Sequence, residues 1–225
     1  LQVKLSDALR IHPIIAQLLV NRGIEETSEA KSFLEADLKH LHDPFLLKDM
    51  DRAVERIKKA KDNNERVLIF GDYDVDGVTS SALLKGVLKK MGIAAINYIP
   101  HRMTEGYGLN LAIGEFAKER EVSLLISVDC GINAFNEVDA LNELGIDVII
   151  FDHHEPSPGR LPKAHAIINP KREDCSYPFK NLASVGLMAK LIHALLGYVP
   201  EEILDLVAIG TVADVAQLRG ENRIF

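Results

Sequence analysis

The sequence predicts an α/β fold, a doubly wound and mainly parallel sheet behind a helical lead-in. Three observations carry that prediction. Short, continuous runs of Ile, Val and Leu recur after residue 66. Stretches of helical periodicity separate them, which is βαβ repetition. Before residue 66 the apolar spacing is helical throughout.

Within residues 1–65, "HPIIAQLLVNRG" (12–23) places Pro13 where a helix can begin and Gly23 where it can end. "SEAKSFLEA" (28–36) predicts a second short helix. "DMDRAVERIKKAKDNN" (49–64) predicts a third, with Ala53, Val54, Ile57 and Ala60 on one face. From residue 66 the strands "RVLIF", "AAINYI", "SLLISV" and "DVIIF" read as covered on both faces. Between them lie the helical stretches "GVTSSALLKGVLKKMG", "LNLAIGEFAKER" and "NAFNEVDALNELG". A fifth strand, "AHAIIN", follows a Pro-rich loop, and "NLASVGLMAKLIHALLG" and "PEEILDLVAIGTVADV" predict two more helices. The expected division is a lead-in at 1–65 and an α/β domain at 66–225, packed as one compact unit.

Composition bounds the class. At 47% hydrophobic and 26% charged, 225 residues suffice for a globular core. No apolar run approaches the roughly 18 residues that span a bilayer. Asp7, Arg10, His12 and Gln17 interrupt the first twenty residues, which argues against a secretory signal. Two widely spaced cysteines, Cys130 and Cys175, point to thiols in a reducing cytoplasm, with no membrane partner. A net charge of −7 argues against broad adhesion to nucleic acid, although cations held by clustered carboxylates would offset part of it. The chain begins at Leu1 and stops at "GENRIF", so it is expected to be a piece of a longer protein.

Ligands of open parallel sheets bind beyond the carboxyl ends of the strands. After "VLIF" come Asp72, Asp74 and Asp76, in "GDYDVDG". After "AAINYI" come His101 and Arg102, after "SLLISV" comes Asp129, and after "DVIIF" come Asp152, His153 and His154. Anions this close repel one another unless something positive holds them, and a metal centre is the expected holder. Residues 72–77 also match the start of an EF-hand loop, but its twelfth position requires a glutamate and here holds Leu83. A haloacid-dehalogenase reading of "DVDGV" leaves the paired histidines without a role. Asp72 by itself is explained equally well as a turn residue, and Asp214, in "IGTVADV", either caps a helix or binds a ligand.

With these residues assembled, the chain resembles the DHH phosphoesterase superfamily, named for the triplet present here as Asp152-His153-His154. The resemblance runs through "LHDPFLLKDMDRAVERI", "IFGDYDVDGVTSSALL", "YIPHRMTEGYGLN", "SVDCGI", "FDHHEP", "AIINPKR" and "IGTVADV". Within the superfamily it points to the single-strand-specific 5′→3′ DNA exonucleases of repair and recombination. It implies two divalent cations, Mn²⁺ or Mg²⁺. Asp74 would ligate one and Asp76 the other, Asp129 would bridge them, and His153 and Asp214 would complete the second site. Asp72 and Asp152 would be ligands or would orient a histidine. His154 would contact the scissile phosphate, and Arg102, with His101 beside it, would grip a substrate phosphate.

The implied reaction is hydrolysis of single-stranded DNA from a 5′ end to 5′-mononucleotides by an activated water. A single-strand-binding protein or a helicase would be the protein partner. The superfamily's second domain, of DHHA1 type, and an oligonucleotide-binding fold are absent from these 225 residues. Two other readings stay open: a DHH enzyme acting on short oligonucleotides, cyclic dinucleotides or pyrophosphate, and a non-catalytic DHH scaffold. "ASVG" (183–186) either offers backbone N–H groups to a phosphate or is an ordinary helix start.

Overall fold

A computed structural model describes all 225 residues and divides them into two compact units, 1–41 with 218–225, and 42–217. The smaller unit begins with helices α1 (Gln2–Leu9), α2 (Pro13–Asn21) and α3 (Thr27–Glu35). Pro13 opens α2, and the His12 side chain accepts the Ile14 N–H at 3.2 Å, satisfying a donor that the helix start leaves unpaired. Leu5, Ala16, Leu19, Ile24 and Ala30 form its core.

The larger unit begins with α4 (Met50–Asp62) and continues β1 (Arg66–Gly71), α5 (Val75–Lys90), β2 (Ala95–Tyr98), α6 (Ala112–Glu119), β3 (Val122–Val128), α7 (Phe135–Glu143) and β4 (Asp147–Phe151). Strand β5 (Ala166–Ile168) and helices α8 (Ser184–Leu196) and α9 (Leu204–Ala213) complete it, and α10 (Gly220–Ile224) returns to the smaller unit. Helix α4, grouped from sequence with the lead-in, belongs to the larger unit. Its stripe of Ala53, Val54, Ile57 and Ala60 is buried, and it packs on β5 and α8. The buried Arg56 fixes it further, bonding Asp147 and Glu65 at 2.6 Å each.

All five strands are parallel, in the order β2-β1-β3-β4-β5. One face carries Leu68, Phe70, Leu125, Val148 and Ile150, packed with Ile113 and Ala117 of α6 and Val138 and Leu141 of α7. Their neighbours in sequence, Val67, Ile69, Leu124, Ile126 and Ile149, are buried too, because α4, α5 and α8 cover the other face, with α9 packed on α5 and α8. The chain winds outward from β1 to β2, then back across to β3. The winding therefore reverses between β1 and β3, and a crevice opens at their carboxyl ends.

Register decides what stands in that crevice. Gly71 pairs with Val128, Val128 with Phe151, and Phe151 with Ile168. The residues that follow, Asp72, Asp129, Asp152 and Asn169, are thereby set side by side along the rim. No helix is long and apolar enough to cross a membrane.

Candidate metal centre

Each rim aspartate is placed by a different device. Asp74 is the N-cap of α5 and accepts the Gly77 N–H at 2.9 Å. Gly77 packs so closely on the preceding loop that a Cβ there would lie 2.6–2.8 Å from backbone atoms of Asp72. Asp76, buried in the first turn of α5, accepts the Ser184 and Val185 N–H groups at 2.7 Å each. The start of α8 is therefore occupied by Asp76, and its first N–H groups are not displayed for a phosphate. Asp129 takes φ 65°, a left-handed conformation costing about 1 kcal/mol for a side chain. The bond from its N–H to Phe151 O, 2.9 Å, holds it there.

Although consecutive, His153 and His154 face different partners. His153 points into the carboxylates. Its Nε2 lies 3.3 Å from Asp129 Oδ1 and 3.9 Å from Asp76 Oδ2, and its Nδ1 lies 3.8 Å from Asp214 Oδ2. His154 Nδ1 meets Asp152 Oδ1 at 2.7 Å, and its backbone N–H donates to the same oxygen at 3.0 Å. Asp152 Oδ2 accepts the Ile132 N–H at 2.9 Å. The carbonyl of His154 is held by Asn169 Nδ2 at 2.8 Å.

Three overlapping donor groups result: Asp72, Asp74 and Asp129; Asp129, His153 and His154; Asp76, His153 and Asp214. Within each, the potential ligand atoms lie within 4.8 Å of one another. Arg102 stands to one side, its guanidinium 5.3 Å from the centre of the Tyr73 ring, between the first two aspartates. The His101 ring does not join the cluster and meets Thr104 Oγ1 at 3.2 Å. Tyr107 was not singled out in the sequence, although flanking glycines in "EGYG" mark an unusual turn. Its hydroxyl reaches within 3.4 Å of both His154 Nδ1 and the Asp129 carbonyl. A cavity of about 380 Å³ lies beside it, lined by Tyr107, Gly131, Ile132, Asn133, Asp152 and His154.

The electrostatics show crowding of negative charge. Burial, then the Asp74 charge, pushes the Asp129 carboxyl up to about 9. Burial, then Asp129, pushes Asp76 up to about 7, although its two amide partners act the other way. Burial also raises Asp72 and Asp214. Asp152 is the exception. Burial would raise it, but the hydrogen bond and charge of His154 outweigh that and hold it low. The same hydrogen bond raises His154 to about 9.

The residues fit divalent cations. Both carboxylate oxygens of Asp129 and Nε2 of His153 are buried without a hydrogen-bond partner, a condition costing roughly 1–3 kcal/mol per group, more if charged. Divalent cations held by these residues would satisfy such atoms and offset the repulsion. Oxygen donors with imidazole suit Mn²⁺ or Mg²⁺, and the neighbouring thiol of Cys130 turns away, to Ser127 Oγ at 3.4 Å.

A parallel α/β domain with carboxylates and imidazoles converging at its strand ends defines a class, that of proteins able to hold divalent cations at a sheet rim. The chain belongs to the DHH family: its residues 66–211 match the model described as "DHH family, N-terminal domain". It is similar to the single-stranded-DNA-specific exonuclease RecJ of Bacillus subtilis, with 49% identity over 98% of this chain and 28% of that protein. The RecJ of Haemophilus influenzae is 37% identical over 100% of this chain and 40% of its own length. A crystal structure of RecJ from Thermus thermophilus in complex with Mn²⁺ superposes with a TM-score of 0.76, at 31% identity, over 99% of this chain and 32% of that one. The chain thus spans well under half of each relative.

Proposed function

We propose that this chain is the catalytic core of a two-cation phosphodiesterase that degrades single-stranded DNA from a 5′ end to 5′-mononucleotides. The observation that carries the reading is the buried carboxylate of Asp129 facing Nε2 of His153 at 3.3 Å, neither making a hydrogen bond, in a chain similar to enzymes named for that activity. Asp74 and Asp129, with Asp72 adjoining, would hold one cation, and Asp76, Asp129, His153 and Asp214 would hold the other. When bound, the two cations supply positive charge to a phosphodiester's oxygens and activation of a water as nucleophile.

The chain's own residues do the rest. Asp76 is locked by two amides, so one ligand oxygen cannot swing away. Asp152 holds His154 through Nδ1, leaving Nε2–H to donate to a phosphate oxygen and to carry a proton there. Arg102, propped over Tyr73, offers its planar fork to a second phosphate. Single-stranded DNA is the substrate, and a single-strand-binding protein or helicase that exposes such strands would be the protein partner. Two free cysteines accord with a reducing cytoplasm.

The test is digestion in Mn²⁺ of single-stranded and duplex DNA carrying 5′ or 3′ labels. Release of labelled mononucleotide from the 5′ end of the single strand alone is expected. Equal attack on both ends, or no cleavage by protein that binds Mn²⁺, would overturn the proposal.

A further inference from the structure

The segment 99–111, between β2 and α6, carries Arg102 and Tyr107 to the rim. Residues 101–107 are exposed throughout, Met103 84% and Tyr107 56%, and the segment's buried apolar anchor, Leu109, lies beyond them. A loop so exposed would sample many conformations unless polar bonds tied it down.

One side chain in the turn, Glu105, bonds it to the sheet. Tyr98, the last residue of β2, has its ring stacked on the buried Phe70 (centroids 5.5 Å apart) and edge-on to the half-buried Phe116 (4.8 Å). Its hydroxyl donates to Glu105 Oε1. Glu105 Oε2 accepts the His101 N–H at 2.6 Å, while the Glu105 N–H donates to the His101 carbonyl at 2.9 Å. The carboxylate thereby adds to the backbone bond that closes the turn 101–105 and joins the turn to an aromatic ring packed against the sheet.

What that turn carries is the consequence. Arg102 lies inside it, facing the Tyr73 ring. Immediately after it, Gly106 and Gly108, both at φ 80°, swing the chain so that Tyr107 reaches His154 and Asp129. We infer that Glu105 is a positioning residue, latching the 101–105 turn to Tyr98 and so setting Arg102 beside Tyr73 and Tyr107 beside His154 and Asp129. It acts through them and touches no ligand atom of the cluster. The inference rests on the reading of that cluster as a phosphodiesterase centre with Arg102 at a phosphate.

The test compares Glu105→Ala, Glu105→Gln, Arg102→Ala and the double variant Arg102→Ala/Glu105→Ala. Glutamine can still accept from the His101 N–H and donate to the Tyr98 oxygen, so it serves as the conservative rescue. In metal-free protein, amide exchange over residues 101–108 should quicken roughly tenfold in Glu105→Ala and return towards wild type in Glu105→Gln. In Mn²⁺, with a 5′-phosphorylated single-stranded oligonucleotide, Glu105→Ala should raise KM about tenfold with kcat changed less than about twofold. Mn²⁺ affinity should not change. The double variant should be no worse than Arg102→Ala by more than the share owed to Tyr107, which Tyr107→Phe measures separately.

Unchanged amide exchange overturns the latch. An additive loss in the double variant beyond the Tyr107 share overturns the positioning role. Wild-type protein that binds Mn²⁺ yet cleaves nothing overturns the phosphodiesterase reading and the positioning role with it. An active wild type with an unaffected Glu105→Ala overturns only the latter.

Discussion

Replacing Asp129 by asparagine should stabilise the metal-free protein while removing most of its response to Mn²⁺. The Asp129 carboxyl is pushed up to about 9 by burial and by Asp74, against about 3.9 in an unfolded chain. The native state therefore binds a proton more tightly than the unfolded state does. For an acid raised in this way, stability falls as pH rises from about 4 to about 9, at up to ~1.4 kcal/mol per pH unit. At pH 7 that sums to roughly 4 kcal/mol at most, and local rearrangement around the carboxylates reduces it to about 2–4 kcal/mol. Asparagine keeps the shape and removes the charge. In EDTA at pH 7–8 its Tm should exceed that of wild type by roughly 5–15 °C for a chain of this size, and the two should converge near pH 4.

Mn²⁺ should close that gap. Wild type gains about 4.1 kcal/mol at a thousand times Kd, as much as the largest deficit, and on the proposed ligand set Asp129→Asn gains little. Differential scanning calorimetry at three pH values, with EDTA and with Mn²⁺, reads both effects. A variant less stable than wild type in EDTA at pH 8, or one that gains as much from Mn²⁺, would refute the reasoning.

Three further outcomes follow from the same geometry. Asp152→Asn removes the negative charge from the acceptor whose hydrogen bond raises His154 to about 9, so the NMR titration midpoint of that ring should drop towards ~6.5. His154 would then lose its charge near neutrality instead of at about pH 9. Gly77→Ala drives a Cβ against the Asp72 backbone and should lower the urea midpoint by the equivalent of about 1–3 kcal/mol, with weaker Mn²⁺ binding by calorimetric titration. Val215, just after Asp214, holds φ 57°, an uncommon conformation for a β-branched residue, and is 86% exposed; Val215→Gly should raise stability by about 1 kcal/mol in urea denaturation.

Much of this protein is legible in one dimension because burial is written into residue type. A strand covered on both faces must be apolar throughout, so "RVLIF", "SLLISV" and "DVIIF" announce themselves, and β1, β3 and β4 lie on them. The polar residues that end such runs must then stand at the rim, which singled out Asp72, Asp129 and Asp152 as neighbours. Nothing in a local pattern states which strand pairs with which, or at what register. Only the order β2-β1-β3-β4-β5 brings Asp72, Asp129 and Asp152 level.

Other assignments depend on partners far away in the chain. Whether the start of α8 serves a phosphate or a carboxylate is decided by Asp76, 108 residues earlier. The division of labour between His153 and His154 depends on Asp214 and Asp152, and the importance of Glu105 on an aromatic ring seven residues back. Residue type and spacing determine what must be buried and what must end a strand. Which charged groups meet, and so which protons and cations they hold, is a property of distances that exist only once the sheet has closed.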